Sequence, residues 1–181
     1  MNDWLTAIAT WDARASLALQ ARRSHISNFF FAALSWSGAG GVWFALAGVL
    51  VVTHRQGLEL IPRQLPFALA MVSALAALLV GGVIKRIAGR QRPFATGQGI
   101  SAAIWAPGPR RSFPSTHAAT SVALAVALFA IAHPLAPWVA LWACGVSFSR
   151  VWLGVHFASD VLSGAGLGIV MGVLPWGRLL A

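Results

Sequence analysis

The chain has 181 residues, 58% hydrophobic and 9% charged. Soluble domains carry about 25% charged residues, so the composition points to a polytopic membrane protein of one domain. The net charge of +9 sits in short links between apolar runs, which disfavours nucleic acid as a partner and favours anionic headgroups or a phosphorylated ligand.

The lone cysteine, Cys144, excludes an intrachain disulfide and a thiolate metal cluster and reads as packing. Residues 1–23 contain Asp3, Asp12 and Arg14 and lack the continuous apolar core of a cleavable signal peptide. Over 3–23, Trp4, Ile8, Trp11, Ala15 and Ala18 or Leu19 recur at helical spacing, with Asp12, Arg14, Arg22 and Arg23 off the stripe. This pattern predicts an amphipathic helix at the membrane interface; a short soluble helix packed on a bundle is the alternative.

Phe29–Thr53 is uncharged for 25 residues and reads as a first span. Its Gly38–Gly41 run allows close helix approach. A polar link, 54–63, leads through Pro62 and Pro66 into a second uncharged span, Leu65–Ile84. Lys85-Arg86-Ile87-Ala88-Gly89-Arg90-Gln91-Arg92-Pro93 follows. Arg86 and Arg90 fit headgroup anchors. Lys85 and Arg92, seven apart, would share a face if the helix ran on to Pro93.

Residues 94–113 form a long link marked by Gly97, Gly99, Pro107, Gly108 and Pro109, with Ile104 and Trp105 at its centre and Arg110 and Arg111 near its end. Links of this length often serve as lids or binding loops. Pro114-Ser115-Thr116-His117 then opens a third span near 115–133. A helix start offers free N–H groups to a phosphate, and His117 there can supply a proton; an ordinary capped start fits as well.

Pro134 and Pro137 separate a fourth span near 137–150, and His133 falls at the turn. A fifth span runs from about 156 to 175, where Gly164, Gly168 and Gly172 predict tight packing. Trp138 and Trp176 fit aromatic belts.

Between the fourth and fifth spans lies Ser149-Arg150, then His156 and Asp160. On a helix, His156 and Asp160 would share one face. The carboxylate could then fix the imidazole tautomer and leave the other nitrogen free to attack. Alone, the pair equally fits the anchor of a helix end. With five spans, however, the Lys85–Arg92, Ser115–His117 and Arg150–Asp160 clusters fall on one membrane side. Gathered there, Lys85, Arg92, Arg150 and Ser115 suit a phosphate. His156, with its carboxylate, suits a nucleophile, and His117 suits an acid. Only Asp160 offers an acidic metal ligand near the site, so no divalent metal is expected.

Together these motifs resemble the type 2 phosphatidic acid phosphatase superfamily, the membrane relatives of vanadium haloperoxidases. Its signature is lysine, six residues, arginine–proline; proline–serine–glycine–histidine; and serine–arginine, five residues, histidine, three residues, aspartate. The first and third parts match in full, and the second has Thr116 where glycine is usual. The resemblance fits the layout that the apolar runs and the 3–23 stripe predict, an all-α polytopic bundle of about five transmembrane helices with an N-terminal interfacial helix. It further implies a single membrane-embedded phosphatase domain over 1–181, with residues 1–25 as the amphipathic helix and 85–160 as the catalytic region.

The same resemblance assigns His156 as the nucleophile that becomes phosphohistidine, Asp160 as its orienting partner and His117 as the proton donor. Lys85, Arg92, Ser115, Thr116 and Arg150 would hold the phosphoryl oxygens, with no metal and no cofactor. It implies a hydrolase of lipid phosphates or pyrophosphates in the cell envelope, most like bacterial undecaprenyl-pyrophosphate phosphatases. Phosphatases of lipid A, phosphatidylglycerophosphate or phosphatidate are similar, and a phosphotransferase would share the same motif. A phospholipid-binding or transport protein is the non-enzymatic alternative. Positive-inside counting puts the motif side in the cytoplasm, whereas bacterial relatives would put it in the periplasm, across the inner membrane.

Overall fold

The computed structural model describes residues 3–61, 64–105, 108 and 110–173. Pro62, Arg63, Pro107, Pro109, Trp176, Arg178 and the last two positions of the expected fifth span lie outside the described residues. Seven α-helices make up the described fold: α1 (Asp3–Gln20), α2 (His25–Ser37), α3 (Gly40–Arg55), α4 (Gln64–Ala88), α5 (Thr116–Ala130), α6 (Ala136–Trp152) and α7 (Ala158–Val173). Among the described residues there is no β-strand, only an isolated bridge between Gln91 and Arg110.

Helix α5 is the centre, packed by α4, α6 and α7. Its buried side is built from small residues, including Ala118, Ala119, Ala123 and Ala127, so the neighbouring backbones come close. Gly164, Gly168 and Gly172 form the facing stripe of α7, as their spacing predicts. A Cβ on Gly164 would stand 2.3 Å from the Ser115 carbonyl oxygen, and one on Gly168 would stand 2.6 Å from that of Ala119. Away from the polar motifs, Leu50, Phe67, Met71, Leu124, Leu128 and Val139 close an apolar core shared by α3, α4, α5 and α6.

By length and composition only α4 qualifies as a membrane span among the described residues; α5 and α7 are apolar but shorter. The first expected span, 29–53, is instead two helices. Gly38 interrupts it, and a Cβ there would stand 2.5 Å from a Val146 methyl, so the break lies where the chain packs closely on α6. The expected helix through Lys85 to Arg92 is also corrected. Gly89, at φ +57°, ends α4 as a left-handed cap, and Arg92 is extended ahead of Pro93.

Helix α1 turns Trp4, Ile8 and Trp11 outward but buries Asp12 and Ser16 completely. Asp12, which the stripe leaves on a solvated side, is therefore inside the protein. The outer faces of α4, α6 and α7 carry Leu79, Leu141, Leu162 and Ile169 exposed. Cys144, expected in packing, is exposed on α6. His133 is buried against the Phe67 ring, with centroids 5.5 Å apart.

Candidate active site

The three motifs converge. Lys85, Arg92, Arg110, Arg111, Thr116, His117, Arg150 and His156 line one cavity of about 320 Å³. Lys85, in the last turn of α4, donates to Thr116 Oγ1 at 3.4 Å. Arg92 Nη1 donates to the Val155 carbonyl at 2.8 Å and lies 3.5 Å from His156 Nε2. Arg150, in the last turn of α6, donates to Ser35 Oγ of α2. The Nε atoms of Arg92 and Arg150 are buried and have no protein hydrogen-bond partner.

His156 is not on a helix. It sits in the 153–157 connection between α6 and α7, 1% exposed. Gly154, at φ +71°, makes this turn possible, because a Cβ there would stand 2.4 Å from the Ser101 carbonyl oxygen. Asp160 occupies the third position of α7, and its Oδ2 accepts from the Phe157 N–H at 2.9 Å, the reach-back contact of a capping box. The expected direct His–Asp hydrogen bond is absent: Nδ1 and Oδ2 are 3.7 Å apart. Ser112 Oγ bridges them, donating to Asp160 Oδ2 at 2.5 Å and lying 3.4 Å from Nδ1.

These contacts assign the tautomer. Arg92 can only donate, so Nε2 facing it carries the lone pair and Nδ1 the proton, which points to Ser112. Burial, opposed by Asp160, lowers the imidazole from 6.5 to about 3. The ring is therefore neutral at physiological pH, as a nitrogen nucleophile requires.

Two expected residues are placed differently from the rest. Ser115 is buried and caps α5, accepting from the Ala118 N–H at 3.5 Å; its side chain is not among those lining the cavity. Asp160, also fully buried, lies behind His156. Three residues at the site carry no motif. Ser112 is one, and Arg110 and Arg111 extend the cationic lining. Arg111 holds a left-handed φ of 69°, and the Gln91–Arg110 bridge and the Ser112 N–H to Arg90 carbonyl bond clamp this strand of the link beside Arg92. Arg90, expected as a headgroup anchor, instead binds Asp160 Oδ1 at 2.7 Å and Asp12 Oδ2 at 2.8 Å. Scarcity was the available signal for Asp12: the chain has only four acidic residues.

A helical bundle presenting this cavity defines a class, and comparison with known proteins gives its family. The PAP2 superfamily profile matches residues 65–178. The chain is 33% identical to a decaprenylphosphoryl-5-phosphoribose phosphatase of Mycobacterium tuberculosis over 70% of this chain and 69% of that protein. It is 31% identical to the lipid A 4'-phosphatase of Bacteroides thetaiotaomicron over 56% of this chain, spanning about half (48%) of that relative's length. The fold is similar to that of a PAP2-type phosphatidylglycerolphosphate phosphatase from Bacillus subtilis, with a TM-score of 0.78, 24% identity and coverage of 95% of this chain and 86% of that one. Aquifex aeolicus LpxE gives a TM-score of 0.66 at 23% identity, over 88% and 90%. The chain belongs to the PAP2 superfamily.

Proposed function

We propose that the protein is an integral-membrane lipid phosphate or pyrophosphate phosphatase acting through a phosphohistidine at His156. The carrying observation is one cavity that joins three motif cations to a buried imidazole, whose Nε2 lies 3.5 Å from Arg92. Nε2 attacks phosphorus and the bond to the leaving oxygen breaks. His117, at the start of α5 and lining the same cavity, gives that oxygen its proton. Water then attacks the phosphohistidine, His117 takes the water's proton, and inorganic phosphate leaves. Lys85, Arg92 and Arg150 hold the phosphoryl oxygens, with Thr116 beside Lys85 and the Ser115 hydroxyl fixing the start of α5. Such transfer is mostly positioning and charge stabilisation.

No metal is needed in this scheme. Cations already meet the phosphoryl charge, and the Asp160 carboxylate is occupied by Arg90, Ser112 and the Phe157 N–H. Among the described residues, no group of three His, Cys, Asp or Glu has metal-ligand placement.

The substrate reading is a polyprenyl pyrophosphate of the undecaprenyl kind. Arg110 and Arg111 add two charges to the cavity beyond the three motif cations, as a second phosphate would require. The exposed apolar faces of α4, α6 and α7 support five crossings of a bacterial inner membrane, with α2 and α3 together forming the first. The outward tryptophans of α1 support an interfacial helix. The catalytic side is assigned to the periplasm, where arginines serving phosphate weigh against the positive-inside count.

A substrate panel tests the proposal: undecaprenyl pyrophosphate, phosphatidylglycerophosphate, phosphatidate and lipid A, in detergent with excess chelator, assayed for released phosphate. Release that persists with chelator and is greatest for the pyrophosphate is expected. Binding of these lipids without release would establish a lipid-binding protein instead. Impermeant thiol labelling of cysteines placed in 94–105 on intact cells reads the orientation.

A further inference from the structure

Asp12, on α1, is far in sequence from every motif, yet its carboxylate is fully buried against the catalytic turn. Its Oδ1 accepts from the Ser159 N–H at 2.9 Å, and its Oδ2 accepts from Ser159 Oγ and from Arg90 Nη2 at 2.8 Å. Arg90 Nη1 reaches Asp160 Oδ1 at 2.7 Å. The guanidinium also lies over the Phe157 ring, 4.6 Å from its centroid, and the Arg90 carbonyl accepts from the Ser112 N–H at 2.9 Å. One arginine thus fixes Asp160 by its side chain and Ser112 by its backbone.

Charge balance gives Asp12 a second role. Arg90 paired with Asp160 alone would neutralise the carboxylate behind His156. With Asp12 included, two carboxylates and one guanidinium leave a net −1, so Asp160 still presents negative charge to the imidazole. That charge stabilises the ring as it becomes positive on attacking phosphorus. We propose that Asp12 and Arg90 are positioning residues for the reaction, through which α1 orients Asp160 and preserves its charge. This rests on the phosphatase reading above.

The test uses the full chain in detergent. Asp12→Asn keeps the side-chain shape and an acceptor for the Ser159 N–H while removing the charge and the oxygen that accepts from Arg90. Arg90→Gln removes the bridge, and Arg90→Lys restores one ion pair. Asp3→Asn, at the exposed start of α1, is the control. Loss of charge-assisted hydrogen bonds predicts kcat lower by about 10-fold in Asp12→Asn and about 10- to 100-fold in Arg90→Gln. KM and competitive inhibition by inorganic phosphate should stay within about 2-fold, because Lys85, Arg92 and Arg150 are untouched. Arg90→Lys should recover part of kcat, and Asp12→Asn in the Arg90→Gln background should add nothing.

Wild-type kcat in Asp12→Asn and Arg90→Gln overturns the positioning role. So do losses that multiply in the double variant, or a raised inhibition constant at unchanged kcat. If Arg90→Gln does not fold, Asp12→Asn and Arg90→Lys decide by the same criteria. A wild-type protein that releases no phosphate from any lipid tested overturns the phosphatase reading itself, a result distinct from active wild type with insensitive variants.

Discussion

Asp160 holds His156 at one remove. Their nearest nitrogen and oxygen are 3.7 Å apart, and Ser112 Oγ occupies the gap. Ser112→Ala should therefore lower kcat by about 10-fold, the value of one hydrogen bond to a charged group, with inhibition by inorganic phosphate unchanged. Full activity in that variant would mean Asp160 reaches the ring directly during turnover.

The two histidines should separate cleanly. His156→Ala is expected to release no phosphate, since the imidazole whose Nε2 lies 3.5 Å from Arg92 is then gone. His117→Ala should lose most turnover yet retain some phosphoenzyme after an alkaline quench, which spares the acid-labile phosphohistidine, because hydrolysis of the intermediate also needs His117 as base. Labelled phosphate appearing on the His156→Ala protein would move the nucleophile elsewhere.

Arg110→Gln with Arg111→Gln tests the second phosphate. The kcat/KM for a lipid pyrophosphate should fall by about 10-fold or more, the scale of one lost charge-assisted contact. For the matching monophosphate the fall should be below about 3-fold. Vesicles of neutral lipid keep surface attraction out of the measurement. Equal losses on both substrates would make these arginines general anion attractors.

Glycine packing offers a stability test. In Gly164→Ala the new methyl meets the Ser115 carbonyl at 2.3 Å, so α7 must move from α5. The cost should be about 1–3 kcal/mol, a fall in melting temperature of roughly 2–12 °C. Gly166→Ala, on the same helix with nothing within 4 Å, should not lower it. Equal melting of the two variants would show that α7 does not pack as described.

The chain alone determined its all-helical architecture, the tightly packed glycine stripe of α7 and six of the residues lining the cavity: Lys85, Arg92, Thr116, His117, Arg150 and His156. It did so because apolar run length, glycine spacing and motif spacing are local properties. It misplaced what depends on where a segment docks. The run 29–53 looks continuous, yet it breaks where Val146 approaches Gly38. His156 and Asp160 look like one helical turn, yet Gly154 ends α6 in a tight loop and Ser112 enters from 44 residues upstream. Arg90 has the composition of a headgroup anchor and Asp12 that of a solvated helix face. Only the docking of α1 against the start of α7 brings those charges together. A lone charge has no periodicity to reveal its partner, so such pairings are decided by the tertiary structure.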